Sequence, residues 1–185
     1  MKRIDAIREI VNEVQDSNAL LIANIGIPCK ELYSVCDMPN NFYMLGSMGL
    51  SSSIGLGLAL SQAERKVVSI DGDGSVLMNM GTLATIASQA PSNYLLVIVD
   101  NGAYGSTGNQ PTATSMATDL AQVAKAAGNK DVFEVNDPEA LRKILEKRNS
   151  GIIVVKAELG NENVPVIKIC PDEIKERFMA EASRQ

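Results

Sequence analysis

Ile70-Asp71-Gly72-Asp73-Gly74-Ser75 closes one apolar run, Lys66–Ile70, and Val99-Asp100-Asn101-Gly102-Ala103-Tyr104 closes the next, Leu95–Val99. Runs of this length, rich in Val and Ile and ended by Gly and Asp, read as buried parallel strands. A helical segment is expected between them, from Asn79 to Ala90. Strand, helix, strand makes a right-handed crossover and sets both motifs at the carboxyl ends of their strands. Neighbouring strands lie about 4.8 Å apart, so Asp73 and Asn101 can then share one ion. Ser75 is expected to begin a helical turn, which favours an anion beside it. Two hard oxygen donors, with glycines that let a phosphate approach the backbone, suit Mg²⁺ carrying a diphosphate. A Gly-Asp-Gly triplet alone is more often a tight turn; Asn101 at the end of the following strand is what favours the ion.

The outer elements repeat the alternation. Ile4, Ile7, Ile10, Val11 and Val14 have helical spacing. Asn18–Ala23 reads as a strand, Pro28 as the start of a helix to Val35, and Phe42–Leu45 as a short strand. Leu50–Ala63 reads as a helix of small residues, a composition that fits close approach of a ligand or tight packing on the sheet. Gly105–Thr114 is polar and aperiodic, and reads as a loop. A helix over Asp119–Ala127, a strand over Asp131–Val135, a helix from Pro138 to Lys147 capped by Asp137, a strand over Gly151–Ala157 and a helix over Pro171–Ala182 follow. The order βαβα predicts a three-layer α/β/α sandwich on a mostly parallel sheet, one domain spanning 1–185.

Composition narrows the chemistry. The 185 residues, 45% of them apolar, are enough for one cored domain. No apolar run is long enough to cross a membrane and no signal-peptide core is present, so a cytoplasmic protein is expected. Three cysteines without a close pair (Cys29, Cys36, Cys170) argue against zinc, iron–sulfur or disulfide frameworks. A net charge of −5 with no basic stripe gives no nucleic-acid partner. With no histidine in the chain, acid–base work falls to carboxylates, a cofactor or another subunit. A P-loop is absent, and Gly55-Leu56-Gly57-Leu58-Ala59 lies inside a helix instead of a strand–helix turn, which is wrong for a dinucleotide site. Glu9, Glu13, Glu31 and Glu64 are expected on solvated helix faces or ends.

Gly72-Asp73-Gly74-Ser75 with Asp100-Asn101, preceded by Leu45-Gly46-Ser47-Met48-Gly49, resembles the cofactor motif of thiamine diphosphate-dependent enzymes. Asn24–Tyr33, Gly46–Leu50 and Ser106–Thr112 are more closely similar to the sulfopyruvate decarboxylase beta-subunit family, with the C-terminal half of phosphonopyruvate decarboxylases also similar. The resemblance implies thiamine diphosphate and Mg²⁺ as cofactors, a 2-oxoacid substrate, and decarboxylation on the route to coenzyme M. Other classes with a similar domain are acetolactate synthases, 2-oxoacid oxidoreductases and non-catalytic subunits that keep the fold. Position by position it implies that Asp73, Asn101 and the Ala103 carbonyl bind the metal. Gly72, Gly74 and Ser75 meet the diphosphate. The Gly46 carbonyl, with Ser47 beside it, takes a hydrogen bond from the aminopyrimidine. Met48 wedges beneath the cofactor, though core filling is the commoner use of a methionine. Tyr104 packs by the metal site, and Thr107 faces the substrate. The activating glutamate belongs to a pyrimidine-binding domain, expected on a separate alpha subunit. The loop Ser106–Thr114 holds no Arg or Lys, so a cation for a sulfonate is expected from that partner too.

Overall fold

The computed structural model describes residues 1–184; Gln185, the last residue of the expected 1–185 domain, lies outside them. Helices α1 (Arg3–Ser17), α2 (Ile27–Val35), α3 (Ser51–Ser61), α4 (Asp73–Met78), α5 (Gly81–Gln89), α6 (Leu120–Ala126), α7 (Pro138–Lys147) and α8 (Pro171–Ala182) are joined to strands β1 (Leu20–Ala23), β2 (Asn41–Tyr43), β3 (Val67–Gly72), β4 (Tyr94–Asp100), β5 (Ala103–Tyr104), β6 (Gln110–Pro111), β7 (Val132–Val135) and β8 (Gly151–Lys156). Six strands form one parallel sheet in the order β2-β1-β3-β4-β8-β7.

Period-two alternation divides the core. Leu21, Ala23, Val68, Ile70, Leu95 and Val97 pack on one face with Ile7, Leu32 and Leu141 of α1, α2 and α7. Leu20, Ile22, Val67, Leu96 and Ile98 pack on the other with Leu56, Ile86 and Phe178 of α3, α5 and α8. Each fully buried Leu or Ile contributes roughly 1.5–3 kcal/mol relative to exposure. Among the described residues no helix is long and apolar enough to cross a membrane.

The chain runs outward from β1 to β2, then returns to β3 on the other side of β1. Beyond the carboxyl ends of β1 and β3, where the direction of winding reverses, an α/β sheet leaves a crevice. That crevice holds the motif residues.

Two local expectations are corrected. The helix expected over Asn79–Ala90 is α5, Gly81–Gln89, and a separate short helix, α4, precedes it, with helix geometry beginning at Asp73, ahead of Ser75. Asn79 makes the break: its Nδ2 donates to Gly49 O at 3.2 Å, Ser53 Oγ at 3.2 Å and Thr82 Oγ1 at 2.9 Å. An amide that binds locally competes with the helix ladder. Gly105–Thr114 is partly ordered: Tyr104 pairs with Gln110 and Ala103 with Pro111 as an antiparallel ribbon, and a 3₁₀ turn covers Ala113–Ser115.

The small residues of α3 are explained by the sheet. Ser51 Oγ donates to Ile70 O at 3.1 Å, Ser69 Oγ to Ser51 O at 3.2 Å, and the Tyr94 hydroxyl to Ser52 O at 2.8 Å. A Cβ on Gly55 would overlap Ser69 Oγ and stand 2.8 Å from the Tyr94 ring. Gly55→Val is therefore expected to destabilise the fold by about 1–3 kcal/mol through overpacking, read as a fall of roughly 2–10 °C in a thermal melt.

Candidate functional site

Gly72 ends β3 and pairs in register with Val99 of β4. One residue further, Asp73 opens α4; two residues beyond Val99, Asn101 leaves the sheet. Asp73 and Asn101 line one cleft with Asn24 and Ile25 after β1, Met48, Gly72, Gly74, Ser75, Ala103 and Tyr104.

Asp73 is 2% exposed. Burial raises its carboxyl above the ordinary carboxylate range, against the stabilising hydrogen bond from Thr112. Thr112 Oγ1 donates to Asp73 Oδ2 at 2.5 Å. Thr114 Oγ1 lies 3.0 Å from the same oxygen, 2.7 Å from Asp100 Oδ1 and 2.8 Å from Thr112 Oγ1. Asp100 is itself paired, through Oδ2 and Lys156 Nζ at 2.7 Å. Among the described residues no cation pairs with Asp73 and no side chain donates to its Oδ1. A buried carboxylate is costly without a positive partner.

Two further atoms lack partners. Asn101 Nδ2 and Asn24 Oδ1 are buried and bonded to nothing among the described residues. An unmade bond of this kind costs about 1–3 kcal/mol, and both residues line the same cleft. Asn101 Oδ1 accepts from the Ala103 N–H at 3.3 Å, which turns the chain into β5 and keeps a lone pair free. Gly74 has no room for a side chain, because a Cβ there would enter the Tyr104 ring.

The remaining expected residues are distributed differently. Ser75 Oγ accepts from the Gly49 N–H at 2.9 Å and so holds the Gly46–Gly49 loop. Met48 is half-buried in the cleft wall. Gly46 and Ser47 are exposed and sit outside that wall, and Ser47 has φ +60°. Thr107 is exposed on the β5–β6 loop, its Oγ1 bonded to Gln110 Oε1 at 2.9 Å, and does not line the cleft. Glu31 corrects the solvated-face expectation: it is 1% exposed and receives Arg3 Nε at 2.8 Å. Glu13 likewise pairs with Lys66 at 2.6 Å, largely out of solvent. Thr112, Thr114, Lys156 and the Arg3–Glu31 pair carry no sequence pattern that assigns them here; a donor beside buried Asp73 was the one physical requirement that pointed to the hydroxyl-rich loop. Cys29 takes no chemical part: burial pushes its thiol up to about 12, and Sγ lies 3.1 Å from Ala23 O.

Residues 24–156 match the thiamine pyrophosphate enzyme C-terminal TPP binding domain. The chain belongs to that family. The subunit beta of sulfopyruvate decarboxylase from Methanococcus maripaludis is 53% identical over 97% of this chain and 96% of its own length. A sulfopyruvate decarboxylase from Methanosarcina acetivorans is 46% identical over 96% of this chain, which corresponds to 46% of that longer protein. A solved protein from Mycobacterium smegmatis, described as a candidate thiamin diphosphate-dependent enzyme, shares the fold: TM-score 0.67 and 20% identity over 87% of this chain and 32% of that one. The residues present fit the family's cofactor. A buried Asp73 carboxylate with no salt-bridge partner among the described residues and two orphaned amide atoms, Asn24 Oδ1 and Asn101 Nδ2, line the cleft, and its oxygen donors are the hard oxygens that Mg²⁺ takes. Among the described residues no three of His, Cys, Asp or Glu gather round a metal, so amide and backbone oxygens must complete the set.

Thr112→Val removes the donor to a buried carboxylate. It is expected to raise the Kd for thiamine diphosphate with Mg²⁺ about 10-fold or more, as measured by calorimetry. Thiol titration of the native protein should label the exposed Cys170 quickly and leave Cys29 unmodified until the protein is denatured.

Proposed function

We propose that this chain is the diphosphate-binding beta subunit of a thiamine diphosphate-dependent decarboxylase that converts 3-sulfopyruvate to sulfoacetaldehyde and CO₂. The observation that carries this reading is the 53% identity to the Methanococcus maripaludis subunit across 96% of that protein, together with a cleft that needs a cation at Asp73. On the sequence resemblance, the aldehyde serves the route to coenzyme M.

Thiamine diphosphate, when bound, supplies an electron sink for the pair released as CO₂ leaves the 2-oxoacid. This chain's part is to hold and orient it. Asp73 Oδ1, Asn101 Oδ1 and the Ala103 carbonyl hold the magnesium ion. Thr112 keeps Asp73 in place, and Lys156 neutralises Asp100, so the charge left for the ion is that of Asp73. Gly72, Gly74 and Ser75 meet the diphosphate through backbone, with Tyr104 packed on Gly74. By the family resemblance Met48 would support the coenzyme from the cleft wall, while the Gly46 carbonyl with Ser47, and Thr107, which lie outside that wall, would serve the aminopyrimidine and the substrate.

Among the described residues no glutamate lines the cleft, and nearby Glu31 is spent on Arg3. The activating carboxylate is therefore assigned to an alpha subunit in a hetero-oligomer. The Methanosarcina acetivorans protein supports this division, since its match to this chain fills less than half its length.

The test is to purify the chain with and without the alpha subunit and measure CO₂ release from 3-sulfopyruvate, phosphonopyruvate and pyruvate. The complex is expected to be active on 3-sulfopyruvate and the chain alone inactive; strong activity of the lone chain overturns the split site. Asp73→Asn in the complex is expected to lower turnover by about 100-fold or more and to abolish Mg²⁺-dependent coenzyme binding, as EDTA does reversibly in the unaltered complex.

A further inference from the structure

Arg3 stands at the first position of α1, where a basic side chain is ordinarily solvated, yet it is 8% exposed. Its Nε donates to Glu31 Oε2 at 2.8 Å and its Nη2 to Glu31 Oε1 at 2.9 Å. Nη2 also meets the Gly160 carbonyl at 3.3 Å and Asn161 Oδ1 at 2.9 Å. Glu31 Oε1 receives the Glu162 N–H at 3.1 Å. Such a two-point pair fixes the plane of the guanidinium. The five donors of a guanidinium are then unevenly used: Nη1, which carries two of them, donates to nothing among the described residues.

Arg3 lines the same cleft as Asp73, Gly74 and Asn101, and it is the one cationic side chain on that wall among the described residues. A buried ion pair is weak evidence for stability, because desolvation offsets most of the attraction. Its cost is explained when the pair holds two donors in place for a third group. That group must be an acceptor with negative charge.

We infer that Arg3 Nη1 is the oxyanion-binding donor of the cleft. The inference rests on the proposed function for the identity of the oxyanion: the terminal phosphate of thiamine diphosphate or the sulfonate of 3-sulfopyruvate. Both present several negative oxygens to a planar pair of N–H groups. Glu31 is the positioning residue; without it the guanidinium keeps only its Nη2 bonds to Gly160 and Asn161 and loses its two-point clamp. A sulfonate then finds its cation on this chain, although the loop Ser106–Thr114 holds none.

The experiment uses the alpha–beta complex. Arg3→Gln/Glu31→Gln removes the cation without stranding a buried carboxylate, and Arg3→Lys keeps a charge but loses the fixed plane. A melt of each variant establishes folding. Calorimetry gives the Kd for thiamine diphosphate with Mg²⁺ and for pyrophosphate with Mg²⁺, and kinetics give KM for 3-sulfopyruvate and for pyruvate. A rise of about 10- to 100-fold in both dissociation constants, with partial recovery in Arg3→Lys, assigns the phosphate. A similar rise in KM for 3-sulfopyruvate, with KM for pyruvate and both dissociation constants unmoved, assigns the sulfonate. A folded double variant whose four values all stay within about twofold of the unaltered complex, below the effect of one charged hydrogen bond, overturns the inference. If the unaltered complex does not turn over 3-sulfopyruvate, the substrate reading fails, and the two coenzyme-side constants still decide for or against Arg3.

Discussion

Parallel pairing of β3 with β4 sets Gly72 opposite Val99 at the centre of the sheet. Both strands are flanked on each side by another strand and covered on both faces by helices, so neither can slip by one residue without turning its apolar side chains into the wrong core. The register therefore fixes where the chain leaves the sheet on each strand. Asp73 and Asn101 emerge at one edge, at the crevice made where the winding reverses beside β1. The serines of α3 and the Tyr94 hydroxyl bind the same two strands from the α3 side.

The charges at that edge are handled unequally. Asp73 and Asp100 are close enough that Asp100 adds to the upward pressure which burial puts on the Asp73 carboxyl. Lys156, from the neighbouring β8, binds Asp100 at 2.7 Å. Asp73 receives hydroxyls alone. A hydroxyl orients a carboxylate and repays part of its desolvation but cancels no charge. The asymmetry leaves one of two adjacent carboxylates without a charge partner among the described residues and makes the other a strut. The β5–β6 ribbon serves the same end: it folds the chain back so that the Thr112 N–H reaches Gly102 O at 2.9 Å and its hydroxyl reaches Asp73.

Much of this was legible in the residues. Buried parallel strands have to be continuous apolar runs, and β3, β4 and β8 stand out for that reason. Pro138 after Asp137, and Pro171, start their helices because proline loses nothing at a first turn and an aspartate accepts the orphaned N–H of Ala140. The glycines of Gly72-Asp73-Gly74 and the amide of Asn101 were placed in the sequence at the tips of successive strands, and the structure brings them to one cleft because those two strands pair in register. The break at Asn79 was hidden, since two of its side chain's three partners, Gly49 and Ser53, are distant in the chain. Thr112 and Thr114 looked like ordinary loop residues, and Glu31 like a solvated helix face.

By itself the amino-acid sequence determined the layered α/β fold, the parallel direction of its central strands and which polar residues end them, because those rest on interactions within a strand, a turn or one crossover. Tertiary structure decided which hydroxyls hold Asp73, which carboxylate is neutralised by Lys156 and that Arg3 is withdrawn from solvent onto Glu31. Those partners are separated by 39, 56 and 28 positions. Pairing over such separations follows from how helices and loops dock on the finished sheet, and no periodicity in the chain records it.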